Sequence, residues 1–142
     1  MPSLPTRSGR VVALALLSVV AGCASTSTPQ GTSMSSDPKA QVVALLKSIE
    51  TGESAPVAVV NPAKYIQHNL AVGEGLAGFG AVLQALPKAS AKVNTVRVFQ
   101  DGEFVFAHTD YNFFGPKIGV DIFRFEDGKI VEHWDNLQET PA

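Results

Sequence analysis

From residue 38 onward, apolar positions recur first every three or four residues and then every second residue. Val42, Leu45, Leu46 and Ile49 form one stripe, because positions three and four apart share a helix face. Asp37 suits the N-cap of this helix, Pro38 its first turn and Gly52 its end. Asn61-Pro62 repeats the cap-and-first-turn signal, so a second, short helix is expected through about Tyr65 to His68. Beyond the loop glycines Gly73 and Gly75, the spacing of Leu76, Phe79, Val82, Leu83 and Leu86 predicts a third amphipathic helix, stopped by Pro87. Gly78 and Gly80 weaken it and allow close packing.

The remainder reads as strand. Residues 93–100 alternate and end at Asp101-Gly102; residues 103–113 follow, then Gly115-Pro116 turns into residues 117–126. Asp127-Gly128 turns again into residues 129–138, and Asp-Gly between β-rich runs is the strongest short-range hairpin signal. Helices followed by an antiparallel meander predict an α+β domain, three helices against one face of a strongly bent sheet.

The first residues do not belong to that domain. Arg7 and Arg10 precede an apolar run, residues 11–20, interrupted only by Ser18, and Val20-Ala21-Gly22-Cys23 closes it. A membrane-spanning helix needs about 20 apolar residues, so the run is too short. It resembles a bacterial lipoprotein signal, which implies a signal peptide over 1–22, lipidation of Cys23 and a domain held at a membrane of the cell envelope. Position 24 is Ala rather than Asp, which favours the outer membrane. The alternative is an ordinary secretory signal with an incidental cysteine. Residues 23–37 are Ser-, Thr- and Gly-rich and are expected to be a flexible tether, leaving 38–142 as one domain. The single cysteine removes any intrachain disulfide. Of 11 basic side chains, Arg7 and Arg10 leave with the signal, so nine face 13 acidic ones. With no basic stripe, a nucleic-acid partner is excluded.

One carboxylate stands out chemically. On the run 117–126, Asp121 shares a strand face with Phe123 and Phe125. A carboxylate there is costly to desolvate unless paired or hydrogen-bonded, and the same surroundings strengthen it as a general base. The structural alternative is a carboxylate satisfied by His108 or a backbone N–H. His108 alternates with Phe104 and Phe106, the more apolar face of its run, which predicts an inward His108 beside Asp121. His68 and Asn69 are placed to bind a substrate carbonyl or enolate, or His68 to cap a helix end. Trp134 is expected as pocket wall, its ring giving apolar area and one donor. The three histidines show no His-x-His or His-x-x-x-His spacing, so no metal is expected.

Tyr65-Ile66-Gln67-His68-Asn69, Gly78-Phe79, Val120-Asp121-Ile122-Phe123-Arg124 and Gly128-Lys129-Ile130-Val131-Glu132-His133-Trp134-Asp135 together resemble the SnoaL-like polyketide cyclases. These belong to the nuclear-transport-factor-2-like superfamily, and the similarity is greatest to its predicted aldol-condensation or ester-cyclase branch. The chain departs at Leu70, where relatives often have Pro, and in its export signal. The resemblance implies a cone-shaped fold with one deep apolar pocket and an aspartate, here Asp121, acting as acid/base without metal or cofactor. The candidate set is then Asp121 and His108 for catalysis, and Tyr65, His68, Asn69, Phe79, Phe106, Phe123 and Trp134 for a small hydrophobic substrate. A rival function uses the same pocket to bind an apolar ligand or partner protein without catalysis. The apolar outer face bearing Val120 and Ile122 suggests a homodimer.

Overall fold

A computed structural model describes residues 35–87 and 90–141. Helix α1, Pro38–Thr51, begins at Asp37, whose side chain accepts the Lys39 N–H at 3.1 Å, and ends at Gly52 in the left-handed region. Val42, Leu45 and Leu46 are buried along its stripe. A single 3-10 turn follows over Ala55–Val59, and Asn61 then caps a loop through bonds from the Ala63 and Lys64 N–H groups.

The second expected helix does not form. Ile66–Gln67 is instead a two-residue strand, β1, pairing in parallel with the last strand, Ile66 beside Glu132 and Gln67 beside His133. The cap signal at Asn61-Pro62 makes only a turn, because the next residues find hydrogen bonds across the sheet. Helix α2, Gly75–Ala85, matches the third expected helix. The Gly78 position lies so close to the Gly73 backbone that no Cβ fits, whereas Gly80 faces open space. Among the described residues two α-helices, not three, therefore accompany the sheet.

Strands β2 (Lys92–Asp101), β3 (Phe104–Asn112), β4 (Pro116–Glu126) and β5 (Lys129–Glu139) complete a bent five-stranded sheet of order β1-β5-β4-β3-β2. It is mixed rather than antiparallel, because β1 is parallel to β5. Asp127 and Gly128 both have positive φ, 51° and 73°, the backbone that a two-residue hairpin with matching twist requires. The inner face of the sheet carries Val105, Ala107, Phe123, Phe125 and Ile130, which form the core with Val42, Leu45 and Leu46 of α1.

Two local irregularities set which side chains face inward. In β5 the register shifts between Arg124 and Phe125, whose partners are Glu132 and Ile130, leaving Val131 as the extra residue of a bulge. Simple alternation puts Ile130, Glu132 and Trp134 on one face. The bulge keeps Ile130 inside while turning Glu132 and Trp134 out and His133 in. A second shift, between Thr95 and Arg97 in β2, acts likewise at the sheet edge.

Candidate active site

A cavity of about 220 Å³ lies between the inner face of the sheet, α1 and α2. Its apolar walls include Leu45, Ile49, Phe79, Val82, Phe113 and Phe123. No residue of α2 is fully buried except beyond its end, at Leu86. The helix packs Leu76 and Phe79 partly against the core and turns Phe79 and Val82 toward the cavity. Polar groups gather on the sheet side, where Asp121 on β4 and His133 and Asp135 on β5 meet Tyr65, Gln67 and Asn69 from the segment around β1.

Asp121 is 3% exposed. Its Oδ2 accepts the Tyr111 hydroxyl at 2.7 Å, and its Oδ1 lies 3.3 Å from His133 Nε2. Directly across the strand pair stands Asp135, and like charges so opposed are destabilising. Asn69 offsets this by giving its Nδ2 to both Asp135 oxygens at 2.8 Å. The two carboxylates and deep burial push the Tyr111 phenol well above its usual range, burial being the larger cause. Burial, then Asp135, then Asp121, do the same to Tyr65.

The hydrogen-bond network assigns the His133 tautomer. Gln67 Oε1 accepts the Asn69 backbone N–H at 3.0 Å, which fixes the orientation of the amide. His133 Nδ1 lies 3.1 Å from that same oxygen and must therefore donate to it. Nε2 then faces the Asp121 carboxyl, and two bare acceptors 3.3 Å apart would repel. A hydrogen bond between them needs one proton, carried by the imidazole or by the carboxyl. Asp121, His133 and Asp135 also present one ligand atom each within 4.8 Å of one another, a donor set that suits a divalent transition ion. The expectation of no metal rested on spacing along one element, and this trio is assembled across two strands instead. Among the described residues, hydrogen bonds from Tyr111, Asn69 and His133 already partner both carboxylates.

The fold of the chain is nuclear-transport-factor-2-like. IdmH of Streptomyces antibioticus, described as a candidate polyketide cyclase, has a TM-score of 0.59 at 17% identity, covering 71% of this chain and 91% of that one. AclR of Streptomyces galilaeus, a candidate hydroxylase, has a TM-score of 0.60 at 17% identity over 77% and 83%. An NTF-2-like protein of unknown function from Burkholderia xenovorans has 0.58 at 17% over 72% and 83%. No protein-family model and no curated protein sequence matches the chain.

Of the residues singled out from sequence, Asp121, Tyr65, Asn69, Phe79 and Phe123 line this cavity. Four others do not. His108 pairs with Val120 on the outer face and meets Arg97 Nη1 at 3.2 Å, while Ala107 is the residue beside Asp121. The β3 face with the large aromatics is the outer one, since Val105, Ala107, Thr109 and Tyr111 alternate inward. Phe106 accordingly stacks on Phe99 outside. Trp134 is turned out by the Val131 bulge and lines a shallow outer groove with Phe104, Phe106 and Ile122. His68 stacks on Trp134 at 4.6 Å and bonds Glu132 at 2.8 Å, so it too is an outer-face residue. Its contact holds the Glu132 carboxyl below the usual range, with Arg124 adding to the effect. His133, Asp135, Tyr111 and Gln67 were missed. Only the bulge, which has no local signature, would have exchanged His133 for Trp134.

Proposed function

We propose that the chain is a small-molecule enzyme performing acid/base chemistry beside a carbonyl, of the aldol-cyclisation or isomerisation type. The observation that carries this is the buried Asp121–His133 pair, 3.3 Å apart at an apolar cavity. As a carboxylate, Asp121 is a base for the proton on the carbon beside a carbonyl, and His133, held by Gln67 on its other nitrogen, orients and steadies it. Tyr111 steadies the carboxylate through its second oxygen. The candidate cyclase activity of IdmH, on the same fold, is in keeping with this reading, although fold by itself does not determine chemistry. We further propose that Cys23 is lipidated and holds the domain at the bacterial envelope, and that the outer sheet face meets a second copy of the chain.

The test is exchange of the protons next to a carbonyl in heavy water, followed by NMR over a panel of aryl methyl ketones and 1,3-diketones. The wild-type domain is expected to accelerate exchange for the ketones that bind. Asp121→Asn is expected to lower that rate by about 10²–10⁴, the usual contribution of a positioned acid/base. Ketones that bind without exchange would make the protein a carrier and sink the enzymatic reading.

A further inference from the structure

The hydrogen bonds of the cavity can be followed proton by proton, and one donor is left over. Gln67 is the hub. Its Oε1 accepts from the Asn69 N–H and from His133 Nδ1, so its Nε2 must be the atom facing Tyr65, at 3.3 Å from the phenol oxygen. An amide nitrogen has hydrogens to give and no lone pair to accept with. The Tyr65 oxygen is therefore an acceptor from Gln67, and its own hydroxyl proton points elsewhere. Among the described residues no group accepts a hydrogen bond from it, its bond being the one received from Gln67, whereas the other phenol, Tyr111, gives its proton to Asp121 at 2.7 Å. Tyr65 is 8% exposed and lines the cavity with Asp121, His133 and Asp135. A hydroxyl whose lone pair is already occupied, buried at an apolar cavity, is a preorganised donor.

The donors expected from sequence are otherwise engaged. His68 and His108 face outward, on Glu132 and Arg97. The Asn69 amide is held at both ends, giving to Asp135 and accepting the Ala71 N–H at 2.8 Å.

We propose that Tyr65 is the donor that binds the substrate's carbonyl oxygen, with Gln67 the positioning residue that turns its proton into the cavity. The ligand class is an apolar molecule bearing a ketone or aldehyde, with its carbonyl beside Tyr65 and the neighbouring C–H toward Asp121. This rests on the acid/base reading only for its catalytic consequence. In that step the C–H bond breaks, Asp121 takes the proton, and the electron pair moves through the new C=C bond onto oxygen. Tyr65 keeps its proton and hydrogen-bonds the enolate oxygen. Return of the Asp121 proton to a different carbon of a conjugated enolate completes an isomerisation; attack of the enolate carbon on a second carbonyl, whose oxygen then takes the Asp121 proton, completes an aldol closure.

The test uses 2-acetylnaphthalene with the folded domain and separates binding from chemistry. A hydrogen bond lowers the carbonyl stretch of the bound ketone, read by isotope-edited infrared spectroscopy. Tyr65→Phe, which removes only the hydroxyl, is expected to raise that stretch and to weaken binding about 3- to 10-fold, one net hydrogen bond. The hydrocarbon 2-ethylnaphthalene is expected to bind both proteins alike. Gln67→Leu is expected to shift the stretch part-way. Proton exchange at the acetyl methyl is expected to fall by about 10²–10³ in Tyr65→Phe, the usual loss of one such donor. A stretch unchanged in folded Tyr65→Phe overturns the proposal, as does a ketone that does not bind. A stretch lost only in Gln67→Leu overturns it in favour of the amide. A stretch that responds while wild type gives no exchange leaves Tyr65 as the carbonyl donor and removes the acid/base function alone.

Discussion

Tyr111 can reach Asp121 because the position opposite its ring has no side chain. Gly119 is on the inner face of β4, and a Cβ there would run into the Tyr111 ring and the Leu137 side chain. Gly119→Ala is expected to displace Tyr111, lengthen its bond to Asp121 and destabilise the domain by about 1–3 kcal/mol, the cost of overpacking. Denaturant melts would read the stability loss. A Gly119→Ala protein as stable as wild type, with Tyr111 in place in its crystal structure, would refute that account. The two phenols also set an alkaline limit. Both Tyr65 and Tyr111 keep their protons in the fold to a higher pH than the ordinary value of 10.0. Above that value the unfolded chain releases these protons and the folded one retains them, so the unfolded state binds fewer and stability falls as pH rises. The contribution is complete below pH 10 and is lost on the alkaline side. Thermal melts from pH 8 to 11 are expected to drop beyond pH 10, and less steeply in Tyr65→Phe.

At the level of elements, α2 is seated by a close backbone contact as well as by side chains. Gly78 packs directly on Gly73, where no Cβ fits, so Gly78→Ala must push the start of α2 off the preceding loop. Gly80→Ala meets nothing and should stabilise by about 0.5–1 kcal/mol through helix propensity. Opposite signs for the two substitutions in urea melts are the expected result, and equal signs would disprove this packing. The close approach was legible in the sequence as two glycines within one helix, but not which of them served it. α1 and the hairpin turns were legible for the same reason, that Asp37, Gly52 and Asp127-Gly128 act on their immediate neighbours. β1 and the Val131 bulge were not, because both are decided by partners far along the chain. The segment at Gln67 extends only because the His133 carbonyl accepts the neighbouring His68 N–H at 3.0 Å, and the bulge exists only relative to β4. Asp121 was found because it precedes the bulge along the meander, on a strand whose alternation is undisturbed. His133, two residues beyond the bulge, was hidden behind Trp134.

The whole molecule divides its aromatic residues between the two faces of one sheet, and the division has a consequence for assembly. The inner face is covered by α1 and the cavity. The outer face carries Phe99, Phe104, Phe106, Ile118, Val120, Ile122 and Trp134, with Phe99 57% and Val120 45% exposed. Apolar surface of this kind on a folded domain marks an interaction site. Charged groups among these side chains include the paired sets Arg124 with Glu132 and Glu126 and Glu132 with His68, while Arg97 beside His108 and Asp110 beside Ile118 form no ion pair among the described residues, so a second copy would have to bring partners for them. A two-fold contact sets the same patch of both copies face to face, residue i on j and j on i, and needs only a self-complementary surface. The proposed dimer is expected to show as twice the monomer mass by light scattering at micromolar concentration. Val120→Asp puts a like-charged pair at or near the two-fold axis and is expected to give monomer, while leaving Asp121, on the opposite face of the same strand, in its network. Retention of ketone binding by a monomeric Val120→Asp would separate assembly from the cavity. A wild-type protein that remains monomeric at high concentration would instead leave the outer face to a different partner.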